Sequence, residues 1–160
     1  MRYVLASFEV FWRNVLSMNM DDELTVIDAF EERYGSKHAM DRACEFLISY
    51  LSLTSANLPE IAKHGLEIAT RYPNGGVGLA ELQAERTKLA TFLSERSAWT
   101  AWRHPDFGPI HSVYAILWHL EDPTRGGGAS ELISNALEAT EAFRPDDEIV
   151  RTLVKNVFQA

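Results

Sequence analysis

Three of the five histidines, His104, His111 and His119, fall within a short segment that also contains Asp106 and Asp122. Imidazole and carboxylate groups bind zinc or iron when three or four of them converge on one point. However, His111 and His119 are eight residues apart, which separates them by roughly 80° around a helix. His119 and Asp122 have a better spacing but fall at a predicted helix end, where a histidine stabilises the helix dipole. The spacing therefore predicts no metal, and a metal-assisted or small-molecule enzyme is kept only as an alternative hypothesis.

Nucleophilic and phosphate-binding motifs are also missing from the sequence. Cys44, the single cysteine, lies on a predicted apolar stripe, where a thiol behaves as a small hydrophobe. No G-x-S-x-G elbow occurs. Glycine runs at 74–78 and 125–130 precede predicted helices, but neither matches a Walker or dinucleotide-binding pattern. We therefore expect no catalytic residue and no cofactor, and we interpret both glycine runs as connectors.

The charge balance favours a protein partner. The chain has 15 basic and 23 acidic side chains, a net charge of −8. This argues against nucleic acid and anionic membranes, which attract basic surfaces, and it is compatible with a basic protein. Two of the three acidic clusters open predicted helices, where they also cap and stabilise the helix dipole. The candidate partner-binding acids are Asp21, Asp22, Glu23, Glu31, Glu32, Asp146, Asp147 and Glu148.

An aromatic group is concentrated between positions 99 and 118: Trp99, Trp102, Phe107, Tyr114 and Trp118. One interpretation is packing in the core between two helices, because aromatic residues dominate cores. The other is a partly exposed hot spot for a partner, since Trp, Tyr and Arg are enriched in such positions. On the second interpretation, Trp102 and Trp118 join the acidic clusters as candidate contacts.

Apolar residues recur at helical spacing along nearly the whole chain, and no segment favours a strand. Gly and Pro residues separate the helical segments by short loops, which favours antiparallel hairpins. We predict a single all-α domain over residues 1–160, a compact bundle of about seven or eight helices. Three predicted helices span Val4–Leu16, Pro109–Leu120 and Ser130–Phe143. The others begin at Asp21 (ending at Gly35), Ser36, Asn57, Leu79 and Pro145. The helix that begins at Leu79 reaches Trp102, with a possible break at Ser94–Ser97.

The segment Leu58–Ala90, LPEIAKHGLEIATRYPNGGVGLAELQAERTKLA, covers about a fifth of the chain. Its proline-led helix, aromatic residue, glycine turn and following Leu-x-x-Leu pattern resemble helical immunity proteins of bacterial polymorphic toxin systems. This resemblance implies an all-helical, cytoplasmic, non-enzymatic inhibitor that binds a cognate toxin. It carries over no binding residue.

The location expected from the sequence agrees with this resemblance. The apolar runs are too short for a transmembrane helix. Glu9 and Arg13 interrupt the apolar N-terminal stretch, so we expect no signal peptide and a cytoplasmic protein. The leading hypothesis is an immunity protein that covers the catalytic groove of a basic toxin domain. The alternatives are the enzyme described above and a helical scaffold that self-associates through exposed aromatics; the oligomeric state is not predicted.

Overall fold

A computed structural model describes the backbone of residues 20–158 and the side chains of residues 24–158. Within this part of the chain every regular element is helical, as the sequence predicts. The predicted first helix, Val4–Leu16, lies outside the described residues. The seven helices are α1 (Met20–Tyr34), α2 (Ser36–Leu53), α3 (Glu60–Arg71), α4 (Leu79–Glu95), α5 (Gly108–Glu121), α6 (Ala129–Ala139) and α7 (Asp147–Phe158).

Two helices, α2 and α5, occupy the centre of the bundle. Helix α5 packs against α2, α3, α4 and α6, and α2 also contacts α1, α6 and α7. Consecutive helices from α1 to α6 pack in pairs, whereas α7 packs on α1 and α2. A hydrogen bond shows that α4 and α5 are antiparallel, because Gln83 near the start of α4 bonds Glu121 at the end of α5. The prediction of a compact bundle of helical hairpins is confirmed.

The core is one continuous cluster with residues from all seven helices. A buried polar contact crosses it, because the Tyr50 hydroxyl lies 3.1 Å from Thr140 Oγ1. Thr140 donates its own hydrogen to the Ala136 carbonyl, so Tyr50 is the donor to Thr140. This hydrogen bond joins α2 to the end of α6. Because it satisfies both buried hydroxyls, it stabilises the folded chain by about 1 kcal/mol.

Helix α4 ends at Glu95, so the predicted extension to Trp102 is wrong and the predicted break near Ser94–Ser97 is confirmed. Ser97 has a left-handed φ of 50°. Its N–H donates to Ser94, and the Ala98 N–H donates to the Leu93 carbonyl. These two bonds form a Schellman motif, which usually places glycine at the left-handed position. The serine there hides the helix end from sequence analysis.

Several predicted helix caps are displaced by one or two residues. Helix α3 begins after Pro59 rather than at Asn57, because the Pro59 carbonyl accepts bonds from Ala62 and Lys63. Glycines, not Ser36 and Ser130, precede α2 and α6.

The two terminal helices give a mixed outcome for the predicted boundaries. Asp21 lies inside α1, which already includes Met20. Helix α6 stops at Ala139 rather than Phe143, and Arg144, which precedes a proline, is extended. The predicted cap of the last helix is confirmed, because Asp146 Oδ1 accepts the Glu148 N–H at 2.9 Å.

Across residues 20–158, no helix is both long and apolar enough to cross a membrane.

Candidate functional site

An open cleft of about 460 Å³ lies between α5 and α6. Apolar residues of both helices, including Ala115, Leu132 and Ala136, line it. Trp102, from the segment between α4 and α5, forms part of its wall together with His111 and His119. The glycine loop at 126–128 lies at the start of α6 and closes one end. The cleft therefore combines an apolar floor with a few polar groups, the usual make-up of a binding site.

The two histidines of the cleft have different environments. His111 Nε2 lies 2.8 Å from the Ala98 carbonyl, so this nitrogen carries the hydrogen and donates it. His119 is only 8% exposed, and its Nδ1 atom has no hydrogen-bond partner among the described residues. Burial lowers the pKa of His119, and the nearby Arg125 guanidinium lowers it further. His119 is therefore an uncharged imidazole at neutral pH, with one unsatisfied nitrogen.

The third histidine and its neighbouring carboxylates lie elsewhere. His104 is exposed, and its Nδ1 accepts the Asp106 backbone N–H at 3.2 Å. Asp122 follows α5 and accepts two bonds from Thr124, which lower the pKa of its carboxyl. No group of three or more His, Cys, Asp or Glu side chains in the described chain is arranged to hold a metal ion. This arrangement gives no support to the metal-assisted hypothesis.

Acidic side chains border the glycine end of the cleft. Glu131 lines it, with Oε2 3.7 Å from where a Cβ atom on Gly127 would stand. Glu31 of α1 approaches the same loop, with Oε2 4.0 Å from the corresponding position on Gly128. Neither carboxylate forms an ion pair with a described residue. The fold therefore brings Glu31 and Trp102, both candidate contacts, to the neighbourhood of one cleft.

A row of half-exposed aromatic rings continues from the cleft along the outer side of α5. Trp99 packs edge-on against His111 and Tyr114, at centroid distances of 5.7 and 5.2 Å. Tyr114 in turn stacks on Trp118 at 6.2 Å. Trp99 remains 42% exposed. We call Trp99, Trp102, His111, Tyr114 and Trp118 the aromatic face. Phe107 and Tyr114 pack partly buried against the core, as the first interpretation expects, whereas Trp99 is exposed, as the second expects.

Arginines hold one end of the aromatic face. The Arg86 and Arg125 guanidinium carbons lie 4.9 and 3.9 Å from the centre of the Trp118 ring. Both arginines pair with Glu121, at 2.9 and 3.2 Å. A hydrogen bond from Gln83 is the main cause of the lowered pKa of Glu121, and the two arginines add to it. Trp118 is therefore fixed by a charged network, whereas Trp99 is the more exposed ring and is held by a hydrogen bond from its Nε1 to Ser94 Oγ at 2.8 Å.

The remaining predicted acidic contacts lie on α1 and at the start of α7, neither of which contributes a residue to the aromatic face. Asp21, Asp22 and Glu23 lie in the first turn of α1, but their side chains are outside the described set. Glu32 and Glu148 are exposed. Asp146 caps α7, and Asp147 pairs with Arg144, so both already have structural roles. Phe30 of α1 touches Phe158 at the C-terminal end of α7. Residues 146–148 are at the other end of α7, about 15 Å along the helix from that contact.

Comparisons of the chain with protein-family models, curated proteins and solved structures found no match. Function therefore has to be argued from the geometry of this molecule.

Two further features are less suited to a functional role. Cys44 is buried, and burial, with a smaller contribution from Asp41, raises the pKa of its thiol to about 12, so the thiol is a poor nucleophile. A second cleft of about 580 Å³ lies beside α2 and is lined by Asp41, Glu45 and Tyr72. Glu45 already pairs with Arg42 at 2.9 Å. The first cleft differs because its wall includes a buried nitrogen, His119 Nδ1, that has no hydrogen-bond partner among the described residues.

Sequence analysis missed Glu131 as a contributor to the site. Glu131 stands three residues after the helix cap Gly128, where a carboxylate usually serves the helix dipole. Only its position beside the cleft distinguishes it from other acids in first turns. No sequence signal was available, because the local pattern does not show which first-turn acid stands beside a cleft.

Proposed function

We propose that this chain is a non-enzymatic protein-binding module, an immunity protein that neutralises a basic toxin by covering its catalytic groove. The observation that carries the proposal is the aromatic face. The face joins one exposed ring, Trp99, to partly buried neighbouring rings. Trp and Tyr at such positions dominate the binding energy of protein interfaces. Concave depressions flank the face on both sides, against α6 and against α4. A partner would bury the face between these two helices.

Charge supports a basic partner. The net charge of −8 attracts a cationic protein from a distance and accelerates its association. Toxins that act on nucleic acids are basic for the reason that their substrates are polyanions. Like the immunity proteins that residues 58–90 resemble, the chain would act in the cytoplasm, where it would meet such a toxin before damage occurs.

The test begins with affinity capture of the tagged chain from its native lysate, with mass spectrometry to identify the partner. The proposal expects a basic protein with an enzymatic activity that the purified chain inhibits at a 1:1 ratio. Trp99→Ala should weaken this complex by at least about thirtyfold, since hot-spot residues contribute about 2 kcal/mol or more. Tyr34→Ala is the matched control, because Tyr34 is 41% exposed but lies on α1. It should change the affinity by less than about twofold.

Variants of two exposed carboxylates test the contribution of charge to association. Glu32→Lys and Glu148→Lys reverse exposed carboxylates without removing a helix cap or an ion pair. Their combination should slow association several-fold at low salt and leave it nearly unchanged at high salt. Equal rates at both salt concentrations would remove the electrostatic part of the proposal.

Two results would overturn the proposal itself. A captured protein whose activity is unaffected by the chain would exclude inhibition. A complex that Trp99→Ala and Tyr34→Ala weaken equally would exclude the aromatic face. If the aromatic face instead served self-association, sedimentation would detect a dimer of the pure chain that Trp99→Ala converts to a monomer.

A further inference from the structure

The cleft between α5 and α6 has the electrostatic character of a site for a cation. Its polar groups include the Glu131 carboxylate, and Glu31 lies behind the same glycine loop. Both carboxylates lack an ion pair among the described residues. A positive group entering the cleft would therefore meet two acids whose charge no neighbour has neutralised.

The arginines near the cleft do not cancel this field. Arg103, beside Trp102, pairs with Glu138 at 2.5 Å. Arg125, beside His119, pairs with Glu121 at 3.2 Å and approaches Asp122 at 4.0 Å. Each positive charge thus already has at least one acidic partner. The unpaired charge at the cleft is negative.

His119 gives an independent indication that the cleft receives a polar group. Its ring forms part of the wall, it is more than nine-tenths buried, and its Nδ1 has no partner. Buried nitrogens of this kind are rare in folded proteins, because an unsatisfied polar atom costs about 1–3 kcal/mol. The Nδ1 atom itself has almost no accessible surface, so a hydrogen-bond donor in the cleft supplies the missing partner only after a small turn of the His119 ring. A cationic donor suits this position better than an anion, given the carboxylates nearby.

We propose that the cleft binds the guanidinium of an arginine side chain presented by the partner protein. This inference rests on the proposed function, since it assigns the partner residue that occupies the site. The Arg103 guanidinium already lies 4.5 Å from the centre of the Trp102 ring, so an incoming guanidinium would stack on the opposite face of that ring. Glu131 offers the carboxylate with which it would pair. The cleft volume of about 460 Å³ accommodates a single long side chain.

The test uses N-acetyl-L-arginine amide as the probe, titrated into the isotopically labelled full-length chain and followed by NMR. Saturable shifts are expected at the Trp102 indole, the His119 ring and the amides of residues 126–128. N-acetyl-L-citrulline amide has nearly the same shape but no charge. It should bind about fivefold more weakly, because it forms no cation–π contact and no ion pair.

A pair of matched variants identifies the carboxylate. Glu131 and Glu81 occupy the same position in their helices, the third residue after a glycine cap. Glu131→Gln should reduce affinity for the arginine probe by about threefold or more, whereas Glu81→Gln should leave it unchanged. Because both changes affect the helix dipole equally, a difference between them reports on the cleft rather than on helix stability.

The outcomes separate this inference from the proposed function. Shifts outside the cleft, equal binding of the arginine and citrulline probes, or equal effects of the two variants would overturn the arginine site. None of these results requires the toxin, so they leave the proposed function to its own test. Conversely, loss of the inhibition result would overturn the function even if the probe bound in the cleft.

Discussion

At the level of single residues, His111 and His119 show how a spacing argument depends on the kind of site. Their separation of roughly 80° around a helix is too wide for two ligands of one metal ion. Yet both rings line the same cleft, because a cleft extends over much of one helix face. The spacing rule applies to the ligands of one metal ion and is uninformative for a wider site.

His119 provides a pH-dependent prediction. Its pKa in the folded chain is lowered below the ordinary value of 6.5, mainly by burial. The unfolded chain therefore binds the proton more readily, so stability is retained above about pH 6.5 and lost as the pH falls through the folded pKa. Between pH 7.5 and 5, the free energy of unfolding should fall more for the natural chain than for His119→Gln.

Urea unfolding of both proteins at several pH values measures this difference. Contributions from the other titrating groups are shared by the two proteins and cancel in the comparison. Parallel pH profiles would contradict the assignment of His119 as a buried neutral imidazole.

At the level of elements, the contact between α5 and α6 depends on one glycine. A Cβ atom on Gly108 would stand 1.8 Å from the Ala139 carbonyl oxygen, which belongs to the backbone and cannot move aside cheaply. This close approach sets how α5 begins beside the end of α6, and these two helices enclose the cleft. Sequence analysis identified the helices but had no signal for their closest contact.

Gly108→Ala should therefore destabilise the chain by about 3 kcal/mol, the upper range for overpacking a core. Gly78→Ala is the matched control, because Gly78 also lies at the start of a helix, directly before α4. Its backbone is extended, and nothing lies within 4 Å of the added methyl group. It should change the free energy of unfolding by less than about 0.5 kcal/mol. Chemical denaturation followed by circular dichroism measures both. A Gly108→Ala chain as stable as the control would refute this view of the contact.

At the level of the whole molecule, one core cluster includes residues from every described helix. Domains with one shared core unfold in a single cooperative step, since no part can lose its packing alone. Two probes in different places can test the single-domain prediction. Tryptophan fluorescence reports largely on the aromatic face, and thiol labelling reports on Cys44 inside α2.

The two probes should give the same urea midpoint. Before the transition, Cys44 should react at least about a thousandfold more slowly than an unfolded thiol, because its pKa rises from 9.0 to about 12. Midpoints that differ beyond error would instead indicate two units that unfold separately.

Much of the fold could be read from the sequence because helices are local. Apolar spacing and Gly or Pro punctuation identified every described helix, and α1 ends before Gly35 as predicted, with a positive φ of 92° at this glycine. The misplaced ends have local causes that composition hides, such as the left-handed Ser97. The capping role of Asp146 was predictable for the same reason: donor and acceptor lie two residues apart.

The candidate site was only partly predictable because its wall depends on how α5, α6 and the segment before α5 pack together. Sequence identified Trp102 and Glu31 as candidates, but not that the chain would bring them to one cleft with Glu131 and His119. Likewise, the Tyr50–Thr140 bond joins residues 90 positions apart. The apolar spacing of the sequence determined the helices, and its composition determined the acidic charge. Only tertiary packing decided which aromatic rings stay exposed and which charges stay unpaired, since burial depends on neighbours that the local pattern does not specify.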